Sequence, residues 1–363
     1  MTPFIVCATR SMRNYASGVI ESLSKYDCFS DQEEQINGID LLRTDLFANG
    51  ELEVTVNYSI RGKDVILFSS SARNEAGIGV QEAQIELYHA IDALKRSQAN
   101  KIIVFEPYIS CSRSDRTTRR NSVGLWVHLK ILMSLSVRHV VTFQLHSDKS
   151  KTMVDPSYSD IDDIPALTLL KRYLCDTYIK TKEKLEQEVK TNWAFCSVDA
   201  GGEKLARVFA NSFGASLVIA HKQRDYSKVN SVSSINILSA EPLEGKSLWI
   251  VDDMIDTANS IDTLIRALAA HKPKEINIIA VHAIFSHPAA ERIEALKREG
   301  LLNRMIVTDT VCCSNTSLKK LIDIEIVRSE DLAAKIIKTI INNESMNKMM
   351  RIFNASIYLG DND

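Results

Sequence analysis

The apolar run Leu248-Trp249-Ile250-Val251 leads straight into two adjacent carboxylates, Asp252 and Asp253, and then into Asp256, Thr257, Ala258, Asn259 and Ser260. A buried strand, a short loop of small polar residues and the start of a helix are a good source of anion contacts. Successive loop N–H groups and the helix N-terminus behind them form a phosphate cradle. Thr257 and Ser260 add hydroxyl donors. The acids would repel phosphate itself, but they suit ribose hydroxyls or a magnesium ion shared with them. The plainer alternative is an Asp-rich helix cap, which requires one acid where this loop has three.

Four further groups could act on phosphates. Arg113, Arg116, Arg119 and Arg120 form a dense cationic stretch, with Lys130 beyond. Guanidinium groups fit phosphate oxygens in pairs, although a charge run is commonly just a solvated loop. His146 follows the apolar run Val140 to Phe143 and so sits at a strand's C-terminal end, where ligands bind in open α/β sheets. A lone histidine there is more often structural than catalytic. Asp199 follows Ala194 to Val198 and precedes Gly201-Gly202; its bland role would be to cap a helix over Glu203 to Phe213. Lys222 and Arg224, with one residue between them, can point the same way on an extended segment. They can neutralise a transferring diphosphate or simply face solvent.

These residues need elements to position them. Phe4 to Ala8, Val65 to Phe68, Ile102 to Phe105, Val140 to Phe143, Ala194 to Val198, Leu217 to His221, Leu248 to Val251 and Ile276 to Ala283 are short apolar runs. Amphipathic stretches separate them, with Val80, Leu87, Ile91 and Leu94 at helical spacing in one and Ile261, Leu264, Ile265 and Leu268 in another. Buried strands alternating with helices predict an α/β fold with mainly parallel sheets. An internal repeat is visible. Gly62-Lys63-Asp64 and Gly245-Lys246-Ser247 each open a buried strand, and each copy continues through a helix ending in Ala-Leu (Ala93-Leu94, Ala267-Leu268) to a second strand. Two similar domains are therefore expected, 1–160 and 161–328, joined in the acidic stretch Asp155 to Pro165. A C-terminal tail, 329–363, with helical spacing at Leu332, Ile336, Ile337 and Ile340, is expected to pack back on the first domain.

Composition narrows the function class. Over 363 residues, 44 Lys and Arg against 46 Asp and Glu give a formal net charge of −2. Such a chain has no global field for nucleic acid, so phosphate chemistry must rest on local clusters. Hydrophobic residues make up 45%, enough for two cores and too many for a largely disordered chain. The seven cysteines are scattered with no Cys-x-x-Cys pair, which argues against disulfides and a zinc site. No apolar stretch approaches membrane-span length, and Phe4 to Ala8 is too short for a signal peptide. A cytoplasmic location is the expectation.

The strand-Asp-Asp-x-x-Asp-Thr loop resembles the ribose-phosphate loop of type I phosphoribosyltransferases and of ribose-phosphate pyrophosphokinases. The second family is the better match, because five more elements follow its order along the chain. Phe47-Ala48-Asn49-Gly50-Glu51 resembles its Phe-x-Asp-Gly-Glu element, and Pro107-Tyr108 through Ser112-Arg113-Ser114-Asp115-Arg116 its Pro-Tyr…Ala-Arg-Gln-Asp-Arg segment. Leu145-His146 stands for its Asp-Leu-His, Asp199-Ala200-Gly201-Gly202 for its Asp-x-Gly-Gly turn, and Lys222-Gln223-Arg224 for its Lys-Arg-Arg.

The resemblance implies two phosphoribosyltransferase-like domains and a magnesium-dependent transfer of the diphosphoryl group of ATP to the anomeric hydroxyl of ribose 5-phosphate. It implies ATP contacts at Phe47, Asn49, Gly50, Glu51, Arg113, Ser114, Asp115 and His146. Ribose 5-phosphate contacts fall at Arg224, Asp252, Asp253, Asp256, Thr257, Ala258, Asn259 and Ser260. Metal contacts fall at His146 and Asp199, with Lys222 and Arg224 as the catalytic cations. A homo-oligomer, built from dimers up to a hexamer, is also implied. The chain departs from the pattern at Asn49, Gln144, Ser114 and Ala258-Asn259-Ser260, the last replacing Gly-Gly-Thr. Asn tolerates a left-handed backbone and Ser keeps the hydroxyl. Ala258 should adopt an ordinary conformation, or cost about 1 kcal/mol or more. Two rival readings remain: a non-catalytic homologue partnering active subunits, and a phosphoribosyltransferase that consumes the diphosphate.

Overall fold

The computed structural model describes residues 3–29, 33–72, 77–117, 120–222, 235–311 and 324–360. It divides into two compact units. The first gathers Met1–Pro165 and Arg328–Met350; the second gathers Ala166–Asp309 and Arg351–Asp363 with the strand Glu325–Val327.

In the first unit five strands form a parallel sheet: β1 (Phe4–Ala8), β4 (Asp64–Phe68), β5 (Lys101–Glu106), β6 (His139–Phe143) and β7 (Asp160–Ile164), in the order β1-β4-β5-β6-β7. A separate antiparallel hairpin joins β2 (Leu42–Leu46) to β3 (Leu52–Val56). Helices α1 (Arg13–Ser24), α2 (Val80–Arg96) and α3 (Gly124–Ser134) belong to this unit. The central strands are buried along almost their whole length, as a parallel sheet covered on both faces requires. Five Asp and Ile residues read as a surface connection in sequence, yet Asp160–Ile164 is an edge strand paired with β6. One face is well covered at this edge: Ile161 and Asp163 are buried on it, while on the other face Asp160 stays exposed, Asp162 bonds His139 on β6 at 2.9 Å and only Ile164 is buried. The units accordingly divide between Pro165 and Ala166.

The second unit holds seven strands in the order β10-β9-β8-β11-β12-β13-β14. They are β8 (Trp193–Ser197), β9 (Ser216–Lys222), β10 (Ile235–Ser239), β11 (Ser247–Ile255), β12 (Glu275–Ala283), β13 (Arg304–Thr308) and β14 (Glu325–Val327). All pairs are parallel except β9 with β10. Helices α4 (Leu167–Leu174), α5 (Glu203–Phe213), α6 (Asn259–Ala269) and α7 (Ala289–Arg298) cover it. The edge pair β9–β10 has only one buried face, and Leu238 on the outermost strand stays exposed.

The internal repeat survives as repeated hydrogen-bond geometry. Gly62 (φ 75°) donates to the Gln98 carbonyl at 3.0 Å, and Gly245 (φ 72°) donates to Lys272 at 3.0 Å. Asn100 donates to Lys63 and Lys274 donates to Lys246, at 2.8 and 2.9 Å. Gln98 and Lys272 are both left-handed where the helices end. The next strand start repeats too: Arg138 donates to Ile102, and Asn303 donates to Ile276. These are the same turns at the same positions in two βαβ frames.

The tail divides. Helix α8 (Glu330–Ile341) packs on α1, where Tyr15 bonds Ser329 at 2.7 Å and Ser22 donates to Asp331 at 2.6 Å. Residues beyond Met350 gather with the second unit, where the Phe353 ring lies 6.3 Å from Phe213 at a tilted angle. The reason is local: the Phe353 ring and the Leu359 side chain are both buried, and the last short helix contacts the helix over Glu203–Phe213.

Candidate active site

The second unit's sheet reverses direction between β8 and β11. The chain leaves β8 towards β9 on one side, and leaves β11 towards β12 on the other. Ligands bind in the crevice outside such a switch point, at the carboxyl ends of the strands. Asp199 follows β8 there, Asp252 to Ser260 end β11 and open α6, and the backbone of Lys222 ends β9, the next strand over. Parallel pairing therefore brings three sequence-distant candidates to one edge. The first unit's strand order runs one way with no reversal, so His146, though it follows β6, does not stand at a switch point.

Asp252 and Asp253 lie inside β11, which pairs with β12 as far as Ile255. The strand thus extends four residues past the apolar run, leaving a loop of only Asp256, Thr257 and Ala258 before α6 begins at Asn259. The Asp253 N–H donates to Asp252 Oδ1 at 2.9 Å, and the two carboxyl groups are within hydrogen-bond reach of each other. Burial pushes the Asp252 pKa well above the usual carboxylate range, with the negative charges of Asp253 and then Asp199 adding to it. Asn259 and Ser260 form the first turn of α6, where backbone N–H groups lack intrahelical partners.

Ala258 adopts φ 58°, ψ 10°, a left-handed conformation. The expectation of an ordinary backbone here is overturned. The turn from β11 into α6 needs a left-handed residue whatever its side chain, and alanine bears a cost of about 1–2 kcal/mol. Arg292, near the start of α7, donates from Nη1 to the Thr257 carbonyl at 2.7 Å.

Asp199 is exposed, and its Oδ1 accepts from the N–H groups of Gly201 and Gly202 at 2.9 and 3.1 Å. This is the turn-capping geometry, ahead of α5, and it leaves the second carboxylate oxygen to other partners. A Cβ on Gly201 would come within 3.2 Å of that same Oδ1. For Lys222 only the backbone is described, paired with Ile235 across the β9–β10 edge. Arg224 and Arg119 lie outside the described residues.

In the first unit, Phe47, Asn49, Gly50 and Glu51 form the exposed tip of the β2–β3 hairpin. Phe47 donates to Glu51, Gly50 (φ 89°) donates to Phe47, and the Asn49 side chain accepts from the Glu51 N–H. Phe47 is 52% exposed, so it is not a core side chain. Arg113, Ser114 and Asp115 lie in the loop from β5 to α3. Arg113 is exposed, and the Ser114 hydroxyl accepts from the Gly124 N–H at 2.9 Å, tying the loop to α3. His146 is exposed beyond β6.

Sequence reasoning missed three supporting residues. Asp163 on β7 accepts from the Leu145 N–H at 2.9 Å and so holds the chain just before His146. Glu86 on α2 accepts from the Thr44 hydroxyl and from Arg10, anchoring the hairpin. Arg292 is the third. Its only signal in the sequence is a base at the start of the helix after the strand next to β11.

A magnesium ion fits the donor set of the second unit. Asp199, Asp252 and Asp253 offer hard oxygen ligands, and their mutual repulsion is what a cation would relieve. Among the described residues, no three His, Cys, Asp or Glu side chains are arranged as a ready-made metal cage. Magnesium commonly completes its shell with water and substrate phosphates. No helix among the described residues is long and apolar enough to cross a membrane.

Two mainly parallel sheets, one carrying the switch-point acids and the small-residue loop, define a double-domain protein of the phosphoribosyltransferase type. The family model for the phosphoribosyl transferase domain matches residues 161–324, and that for the N-terminal domain of ribose phosphate pyrophosphokinase matches 5–135. The chain belongs to the ribose-phosphate pyrophosphokinase family. It is 31% identical over 304 residues to the ribose-phosphate pyrophosphokinase of Fusobacterium nucleatum, covering 84% of this chain and 88% of that one. The enzyme of Chlorobaculum tepidum is 30% identical over 311 residues, covering 85% and 87%. In fold, the chain resembles the phosphoribosylpyrophosphate synthetase of Mycobacterium smegmatis, with a TM-score of 0.77 at 24% identity, over 94% of this chain and 99% of that one.

Proposed function

We propose that this protein transfers the diphosphoryl group of ATP to the anomeric hydroxyl of ribose 5-phosphate, giving 5-phosphoribosyl 1-diphosphate and AMP. The observation that carries the reading is the convergence of Asp199, Asp252 and the Asp256–Ala258 turn at the β8/β11 switch point. The names of the relatives favour this catalytic reading over a non-catalytic partner subunit. They also favour it over a single-domain transferase.

The loop N–H groups and the α6 N-terminus hold the 5-phosphate, while Asp252, Asp253 and Asp256 accept from the ribose hydroxyls. Phe47 stacks on the adenine, with Asn49, Gly50 and Glu51 around the base, and Arg113, Ser114, Asp115 and His146 contact ATP. The anomeric oxygen attacks the β-phosphorus in line and gives up its proton to solvent, and the bond to the oxygen bridging the α- and β-phosphorus breaks, so that AMP leaves with that oxygen. Lys222 and Arg224 neutralise charge on the transferring group. Catalysis of this kind is positioning and electrostatics, and no side-chain base is assigned. Asp199, beside Asp252 and Asp253, would hold one magnesium position and His146 a separate one; magnesium when bound would supply charge neutralisation at the phosphate oxygens. A cytoplasmic homo-oligomer is part of the same reading, supported by scattered free cysteines and the family.

Incubation with ATP and ribose 5-phosphate tests it. AMP should appear only when both are present, in equal amount to phosphoribosyl diphosphate; ATP turnover yielding ADP, or none, would reject the reading.

A further inference from the structure

We propose that Arg292 is a positioning residue for the ribose 5-phosphate loop, acting through the Thr257–Ala258 peptide. The inference rests on the proposed function for the identity of the ligand, and on geometry for the rest.

Helix α7 follows β12, the neighbour of β11, and a parallel sheet sets the first turn of α7 beside the loop that follows β11. Arg292 uses that adjacency. Its Nη1 donates to the Thr257 carbonyl at 2.7 Å across 35 residues of sequence. Among the described residues it forms no ion pair, although neighbouring bases do: Arg298 of the same helix pairs with Glu294, and His287 just before the helix lies by Glu291. The guanidinium charge is therefore spent on the loop.

Two consequences follow. A trans peptide is planar, with C=O and N–H pointing opposite ways. Drawing the Thr257 carbonyl towards α7 turns the Ala258 N–H away from α7, which leaves that N–H to a phosphate on the opposite side of the turn. The same bond opposes the tendency of Ala258, left-handed at φ 58°, to relax to an ordinary backbone and rotate that peptide. Glycine would hold this turn without help; with alanine, an external restraint is required. The unpaired positive charge beside the loop also favours a bound dianion.

A double-mutant cycle on the full chain tests this, with Arg292→Met, Ala258→Gly and the pair. Ribose 5-phosphate binding is read by calorimetry, and amide exchange at residues 256–260 is read in the free protein. We expect Arg292→Met to weaken ribose 5-phosphate by about 10-fold or more, the order of losing a charged hydrogen bond, and to speed exchange across the loop. The ATP KM should stay within about twofold of wild type. In the Ala258→Gly background the same substitution should cost markedly less, because the turn no longer needs holding. Rescue by a remote glycine is not expected of a residue that merely stabilises α7. Equal losses in both backgrounds, or no loss from Arg292→Met, would overturn the proposal. A wild type that binds ribose 5-phosphate but makes no AMP would reject the activity and leave the cycle to decide the role of Arg292.

Discussion

The Leu145 N–H donates to the buried Asp163 carboxylate at 2.9 Å, linking the end of β6 to β7 one residue before His146. Asp163 replaces the missing strand neighbour of Leu145, so His146 stands on a fixed backbone. Burial raises the Asp163 pKa, and the Leu145 bond and Lys151 at 3.7 Å only partly oppose that shift.

Asp163→Ala leaves a buried N–H without its acceptor, a cost of about 1–3 kcal/mol. Its melting midpoint should fall by several degrees and its ATP KM should rise. Asp163→Asn keeps an acceptor oxygen and removes a buried charge, so it should melt near wild type at neutral pH. Thermal melts of both variants check this; an alanine variant as stable as wild type would remove the assigned role.

Lys171 on α4 is 3% exposed, with Nζ 5.0 Å from the Phe209 ring centre. Burial lowers its pKa to about 8. The unfolded chain therefore binds more protons between pH ~8 and ~10.4, so this group makes stability rise with pH across that window. Desolvation outweighs a cation–π attraction of about 1–2 kcal/mol. Lys171→Met should be more stable at pH 7 by roughly 1–2 kcal/mol and should lose the alkaline rise. Denaturant titrations at pH 7 and 9.5 measure both quantities; a less stable variant would contradict the account.

Asp252 carries the opposite linkage. Its pKa is raised in the folded state, so stability falls as pH climbs from ~3.9 through the raised value, and the full cost is present above it. Asp252→Asn should flatten that dependence and be more stable than wild type at neutral pH, while binding ribose 5-phosphate far more weakly. Melting between pH 5 and 8, with calorimetry of binding, tests the pairing of gain and loss. A variant that loses both stability and binding would mark Asp252 as structural.

Lys222 ends β9, so its backbone is anchored in the sheet. Lys222→Ala should lower turnover by ~100-fold or more, as for loss of a charged transition-state donor, with little change in the ATP KM. Steady-state kinetics at saturating substrates decides; turnover within about twofold of wild type would remove the catalytic assignment.

The continuous apolar strands were legible in the sequence because burial on both faces writes itself as unbroken Val, Ile and Leu. Phe4–Ala8 falls where its run predicts. Asp160–Ile164 was not legible, because an edge strand tolerates acids on its open face. The end of β11 was hidden for a related reason: Asp252 to Ile255 keep pairing with β12 beyond the point where apolarity stops. The loop residues of the candidate site could be named from residue type and order, but their supports could not. Arg292 to Thr257, Asp163 to Leu145 and Glu86 to Thr44 span 35, 18 and 42 residues. No local pattern encodes such contacts. Ala258 shows the limit of propensity: the turn's geometry overrides what alanine prefers.

AMP release from ATP in the presence and absence of ribose 5-phosphate is the measurement closest to the central claim. With magnesium present, AMP formation should require ribose 5-phosphate, equal the phosphoribosyl diphosphate formed and fall by ~100-fold or more in Lys222→Ala. Wild-type protein that binds both substrates and releases no AMP would contradict it.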